Sequence, residues 1–546
     1  MKRSDWSRFV TSFLEEYFDH NPTFAAGAGR HEFDGCLPDW SGEALQRKID
    51  WLREQRAAAG AFDPSPLAPP QRLEREHLIA QIDCEIFWLA DAEVPWRNPL
   101  YYAYTLDPAL YLTRDYAPLE QRMRAFIKYA HAVPRAAEHV RANLRTPLPR
   151  TFARVGQLTL GGLAGYFEKD VPPVFAAVAD PGLQAELSEA IAGAAAAMRG
   201  LDTWFSRLAD EAGETDDGFA FGPERYLRML RASERVDLSL EELEAAGRRE
   251  LERNLAALRE ACAAYAPGLS PADCVERVQA EKPAGGPVEA ARRQLAGLRR
   301  FLEEKELVTI PGDEQALIAE APPYQRWNSA FIDIPGPYDR HLPSIYYISP
   351  PDPSWTPEER DAYVAGEADL LFVTIHEVWP GHFLQFLHSN RAESEIGRLF
   401  VGYGYSEGWA QYSEELMWEA GFGNGDPRLR IGQLQNALLR NVRYLVSLGL
   451  HTGDLTLAEA ERMFREQAFQ DTANARQQAA RGTFDPGYLN YTLGKLILRR
   501  LRDDWSAPRG GRAAWRDFHD RFLSVGGPPI PLVRDYLMGE NGAGLL

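Results

Sequence analysis

Leu370-Leu-Phe-Val-Thr-Ile-His-Glu-Val-Trp-Pro-Gly-His-Phe-Leu-Gln385 decides how the rest of the chain is read. An apolar run delivers His376-Glu377, as the metal-binding helix of a zinc hydrolase begins. The usual pattern is H-E-x-x-H, whose histidines four apart place both imidazoles on one helical face. Here the second histidine is six positions on, at His382. Six residues of regular helix turn roughly 600°, about 240° net, so the two rings would point apart. Regular helix through 376–382 is therefore incompatible with a shared metal. Pro380 removes a helical hydrogen bond and clashes with the carbonyl of His376, four residues back. Gly381 permits the backbone angles at which the chain re-enters a helix. One reading is a helix with two residues looped out, a kind of bulge that often marks a functional site, which returns His382 to the face of His376. The other is a helix that ends at Trp379, with His382 capping the next one.

Working outward, Tyr405-Ser-Glu-Gly-Trp-Ala-Gln-Tyr412 supplies a third ligand, Glu407, 25 residues after His382. Two histidines and a glutamate from a following helix form the ligand set of many zinc hydrolases and leave the fourth position to water. Zinc is thus the expected cofactor, held by His376, His382 and Glu407. Glu377 follows the first ligand directly and is the expected general base, taking a proton from water at the metal and passing it to the leaving group. Glu407, Gln411 and Glu414 share a helical face, but a surface helix looks the same, and Glu414 and Glu415 are expected at the surface. A serine triad is the competing chemistry, and the chain has no G-x-S-x-G. Gly402-Tyr-Gly404 is too sparse to cradle a phosphate.

Helix signals dominate on either side of the motif. Ser239-Leu-Glu-Glu242 and Thr456-Leu-Ala-Glu459 are capping boxes, and Thr356-Pro357-Glu-Glu359 adds a proline at the first helical position. Strand-like pieces cluster just before the motif: Leu307–Ile310, Ala330–Ile334 and Ser344–Ile348, β-branched or aromatic and flanked by Pro and Gly. They predict one small sheet beside the motif helix, with Ser344–Ile348 offering an edge to an extended peptide. Length alone predicts at least two lobes: a helical one over 1–300 and a catalytic one over 301–546.

The formal net charge of −19 disfavours binding to nucleic acid or to an anionic membrane surface. The four cysteines, Cys36, Cys84, Cys262 and Cys274, are scattered without a C-x-x-C pair and read as reduced, packed thiols. MKRSDWSRFVTSFLEEYF lacks the apolar stretch of a secretory leader, and no segment approaches the roughly 18 apolar residues of a membrane span. The expected compartment is the cytoplasm. The oligomeric state is not legible.

These motifs closely resemble the bacterial family called domain of unknown function 885, with its H-E-x-x-P-G-H-x-x-Q followed by E-G-W. The resemblance spans nearly the whole chain: Asn21-Pro-Thr-Phe-Ala-Ala-Gly-Ala-Gly29, Pro335-Gly-Pro-Tyr-Asp339, Tyr346-Tyr347, Arg440 and Arg443 before Gly449-Leu-His451, then Arg481, Pro486-Gly487 and Tyr491 through Gly494. It implies kinship with helical zinc peptidases such as thimet oligopeptidase and carboxypeptidase Taq. The implied fold is mainly α, a two-lobed zincin-like body around a deep channel with one small sheet. It also brings forward His451, Arg481 and Tyr491 as groups facing an oxyanion or a substrate carboxylate. Without the resemblance each reads as a core histidine, a surface arginine and a packed tyrosine. Ser447 stands where the family has aspartate, Tyr488 where it has glutamine, and Phe383 where it has a second histidine. These departures touch substrate preference rather than zinc. The expected function is a zinc metallopeptidase on short peptides. The alternatives are a zinc hydrolase of another small amide and a non-catalytic metal-binding protein.

Overall fold

The computed structural model describes residues 5–213, 218–322, 326, 329–352, 354–539 and 544–546. Its contacts divide the chain into two units, residues 1–66, 81–220 and 335–342 in the first and 67–80, 221–334 and 343–546 in the second. The dividing line after Ala220 replaces the expected one near residue 300. Helices between 221 and 305 pack on those that carry the motif, so they fall with the C-terminal part.

Every helix or strand element among the first unit's described residues is a helix. Its two long helices, Leu119–Asn143 and Pro181–Glu211, pack along one another. Asp180 caps the second by accepting from the N–H groups of Gly182 and Leu183, and Pro181 fits the first position, where no N–H is needed. Leu183, Leu187, Ile191, Met198, Leu201 and Phe205 recur at helical spacing and are buried. The excursion 335–342 joins this unit through Tyr338, whose N–H donates to Ala28 O at 3.0 Å. Beside it, His31 bonds Asp34 and Asp339 at 3.2 and 3.1 Å. The segments Asn21–Gly29 and Pro335–Asp339, far apart in sequence, are thus two halves of one packing contact.

The second unit holds the motif. In chain order it contains α1 (Pro223–Glu234), α2 (Leu240–Tyr265), α3 (Pro287–Lys305), β1 (Leu317–Glu320), β2 (Ala330–Asp333), β3 (Ile345–Ile348), α4 (Glu367–Glu377), α5 (His382–Ser389), α6 (Tyr403–Glu419), α7 (Pro427–Thr452), α8 (Thr472–Phe484), α9 (Asn490–Ser506) and α10 (Trp515–Ser524). All three capping boxes form: at Ser239 before α2, at Thr356 and at Thr456. No helix among the described residues is long and apolar enough to cross a membrane.

The sheet has the order β1-β3-β2, with β3 parallel to β1 and antiparallel to β2. Two expectations change here. Leu307–Ile310 is not a strand, because side chains satisfy its backbone: Leu307 O bonds His519 Nδ1 and Thr309 N donates to Asp520. Leu317–Glu320 takes its place. β3 is central rather than an edge, since both its sides are paired. The edge nearest the motif is β2.

Close helix contact frames the motif. α6 lies against α9 through glycines: a Cβ on Gly408 would press on the backbone of Gly494 at 2.6–2.7 Å, and one on Gly494 would strike Gly404. This approach brings Glu407 of α6 and Tyr491 of α9 to the same place.

Candidate metal centre

Two helices meet at the motif. α4 ends at Glu377 and α5 begins at His382, with a cis Trp379–Pro380 peptide between them. Gly381 N donates to Ile375 O, and Leu384 N to Val378 O at a looser 3.4 Å, each spanning six residues where a helix spans four. The hydrogen-bond register therefore continues with two residues looped out, while the chain is formally two helices. Each of the two sequence readings captures part of this. Gly381 also leaves room that no other residue would: a Cβ there would collide with the carbonyl of His376. The looped-out carbonyl of Pro380 accepts from Trp409 Nε1 at 2.8 Å. The tryptophan of Glu407-Gly-Trp409 thus holds the irregular step open.

The loop-out brings the rings of His376 and His382 to 4.8 Å between centroids. Their Nε2 atoms lie 3.2 and 3.4 Å from Glu407 Oε2. One ligand atom from each of the three residues falls within 4.8 Å of the others. Such a set, two imidazole nitrogens and a carboxylate oxygen, suits zinc.

The partners of Nδ1 fix both tautomers. His376 Nδ1 sits 2.8 Å from Glu414 Oε1, and a carboxylate only accepts, so this nitrogen carries the proton. For His382 a relay ends on a backbone carbonyl. Ser389 donates to Gly526 O and accepts from Gln385 Nε2 at 2.8 Å. Ser406 donates to Gln385 Oε1, so Ser406 Oγ, 3.2 Å from His382 Nδ1, accepts from that nitrogen. With Nδ1 donating in each ring, Nε2 is the atom left to ligate a metal; Glu407 Oε2 accepts from His376 Nε2 at 3.2 Å, a proton that a bound ion would displace.

Glu414 is fully buried, as is Glu415 at 4% exposure, which corrects their expected place at the surface. Arg440 of α7 holds Glu414 at 3.2 Å. Around the centre Glu377, Glu407 and Glu414 share one ion-paired guanidinium, that of Arg440, an excess of carboxylates that favours a cation. Glu414 Oε2, Arg440 Nε and both amide atoms of Gln411 are buried without protein partners among the described residues. Burial and Arg440 oppose a proton on His376, yet Glu407 and Glu414 push its ring up to about 9. Burial likewise opposes charge on Glu407, but His382 and His376 hold its carboxyl well below the ordinary range.

Glu377 Oε2 accepts the N–H of Ile332 on β2 at 3.1 Å, and Oε1 has no hydrogen-bond partner among the described residues. Burial raises its carboxyl above the ordinary value, against the pull of His382 and His376.

The remaining candidates separate. Tyr491 lies at the centre, its ring 6.3 Å from that of His376. Arg481 stands one ring further out: it pairs with Asp485 at 2.8 Å and donates to Tyr403 Oη, and the Tyr403 ring is 5.8 Å from that of Tyr491. His451 is not brought in. It lies eleven residues beyond Arg440 on α7, about 16 Å along the axis, where its Nε2 bonds Gly482 O and its ring packs on Phe221 and Tyr226. Ser447 bonds Tyr226 Oη and Pro486 O, and Tyr488 is fully buried.

A model of the family described as "Bacterial protein of unknown function (DUF885)" matches residues 22–537. No curated protein matches the chain in sequence. Several solved structures share its fold, and two of them follow. A "putative lipoprotein of unknown function" from Shewanella oneidensis is 21% identical with a TM-score of 0.80, and a "putative lipoprotein" from Colwellia psychrerythraea is 18% identical with a TM-score of 0.82. Each alignment covers 98% of this chain and 99% of the other. Both are described as lipoproteins, which overturns the cytoplasmic assignment; charge and hydropathy report folding and solubility, not compartment.

Proposed function

The chain belongs to the bacterial DUF885 family of unknown function, and from its own side chains we propose that it is a zinc-dependent hydrolase that cleaves short peptides. The observation that carries the reading is the convergence of His376, His382 and Glu407 within 4.8 Å, with Glu377 next to the first ligand. Kinship with the helical zinc peptidases is part of the same proposal.

Zinc in such a set supplies Lewis acidity, polarising a carbonyl and acidifying water at the site. The protein's own groups do the rest. Glu414 and Ser406 hold the two imidazoles in the ligand tautomer. Ile332 N–H fixes one oxygen of Glu377, and the other takes the proton of the attacking water and returns it to the leaving amine. Tyr491 has a hydroxyl without a hydrogen-bond partner among the described residues and serves as donor to the developing oxyanion. β2 favours a peptide over other amides: it is an edge strand that reaches the base, where an extended chain gains backbone hydrogen bonds.

The test is turnover of a mixed peptide library by zinc-loaded protein, with and without chelator, beside Glu377→Gln. The variant is expected to keep its zinc and lose roughly 10²–10⁴-fold in kcat. Normal turnover by zinc-replete Glu377→Gln would remove Glu377 from the mechanism, and no cleavage by the zinc-loaded parent would remove the peptidase reading.

A further inference from the structure

Three arginines surround Tyr491, and their partners differ. Arg440 is paired with Glu414 and Arg481 with Asp485. Arg443, one turn after Arg440 on α7, has no carboxylate partner among the described residues. It is 8% exposed, and its protein hydrogen bond runs from Nε to the neutral Gln478 Oε1 at 2.8 Å. Its terminal nitrogens are bonded to nothing described and are absent from the polar atoms sealed away from solvent. The guanidinium carbon lies 5.2 Å from the centre of the Tyr491 ring, which in turn stacks toward His376.

A buried guanidinium without an acid is costly, and a ring beneath it offsets only part of that cost. Here the cost is higher still, because burial, then the charge of Arg481, and further on that of Arg440, all oppose it. A cation kept under those conditions, one ring from a metal centre and with its two-pronged face open, has the geometry that receives a carboxylate bidentately. Through the Tyr491 ring the guanidinium lies within about 12 Å of the His376 ring, a span that a few extended residues cover at about 3.3–3.6 Å each.

We infer that Arg443 is the anchor of a carboxylate subsite beside the metal centre, and that the preferred substrates carry a free carboxylate close to the bond cleaved. The carboxylate is either the C-terminal one or an acidic side chain, since both present the same two oxygens. Arg481 is not the anchor, because Asp485 already occupies it. The inference rests on the hydrolase reading for the word substrate, but the binding site itself does not require turnover.

The experiment is calorimetric binding of three probes to the zinc-loaded full chain: acetylated trialanine as the free acid, its C-terminal amide, and that amide with glutamate in the third position. The parent protein is expected to bind at least one charged probe about tenfold or more tightly than the neutral amide, and which one identifies the source of the carboxylate. In Arg443→Met the preference disappears; in Arg443→Lys, which keeps the charge but not the fork, part of it survives. Circular dichroism checks that both variants fold, and the comparison within the parent stands without them. Equal binding of all three probes, binding of none, or a preference that survives in folded Arg443→Met would overturn the subsite. Carboxylate preference without peptide cleavage would sink the hydrolase reading alone, and cleavage without preference would sink the subsite alone.

Discussion

Glu414 and Glu415 are neighbours on α6, both buried, and they serve opposite ends. Glu414 turns to His376 and Arg440 at the metal centre. Glu415 turns to Lys495, Arg253 and Arg499, in a cluster that also holds Glu250. In the second cluster two carboxylates meet three cations, so both carboxylates are paired within the protein. In the first, three carboxylates share one ion-paired guanidinium, that of Arg440, and the excess of carboxylates is left for an ion. The lesson is that burial of a charged residue does not mark a functional site. What marks it is a donor set whose charges and hydrogen bonds the protein leaves incomplete.

The difference can be broken from the structural side first. Lys495→Met strands Glu250 and Glu415 with only the more exposed arginines, and is expected to cost about 3–5 kcal/mol in urea unfolding while zinc stays bound. Loss of zinc in a folded variant would mean the two clusters are coupled.

A third buried carboxylate sharpens the contrast through pH. Among the described residues Glu234 meets no cation, only Gly404 N–H and Asn490, and burial pushes its carboxyl up to about 7. It holds its proton more tightly folded than unfolded, so its share of stability is present below the ordinary value near 4.5 and is lost as pH rises to 7. Glu415 is the reverse: burial opposes its charge, but Lys495 and Arg253 hold it well below the ordinary range. Its share is present above that range and is lost as pH falls through its lowered value. Glu234→Gln is therefore expected to raise stability at pH 8 by about 3 kcal/mol and to flatten the profile between pH 5 and 7. An unchanged profile would contradict the assignment.

On the metal side, Glu414→Gln keeps the shape but weakens the grip on His376, and is expected to lower zinc affinity about 10–100-fold in competition with a chromogenic chelator. The smallest effect belongs to Trp409→Phe, which removes the donor to Pro380 O. It is expected to cost about 1 kcal/mol of stability and to leave zinc stoichiometry intact.

Much of this was legible in the sequence. His376, Glu377, His382 and Glu407 are tied together by residue chemistry and spacing, and the capping boxes at Ser239, Thr356 and Thr456 are local signals that act locally. The strand at Leu317–Glu320 was not, because four residues of sheet are defined by a partner rather than by their own pattern. Glu414 read as a surface residue because its burial comes from Arg440, 26 positions away on another helix. His451 failed for a matching reason: a motif fixes order along α7, while distance to the metal depends on how far along the helix the residue sits. Arg443 was visible only as part of an arginine-rich stretch, since the absence of an acid partner is a fact about three-dimensional neighbours.

The central claim is that His376, His382 and Glu407 hold one zinc ion. It is tested most directly by elemental analysis of the purified chain beside His376→Ala, His382→Ala, Glu407→Ala and, as the control from the other cluster, Lys495→Met, all shown to be folded. The expected result is about one zinc per chain in the parent and the control, and its loss in each of the three ligand variants. Full zinc in all three ligand variants, or none in the parent after reconstitution, would contradict it.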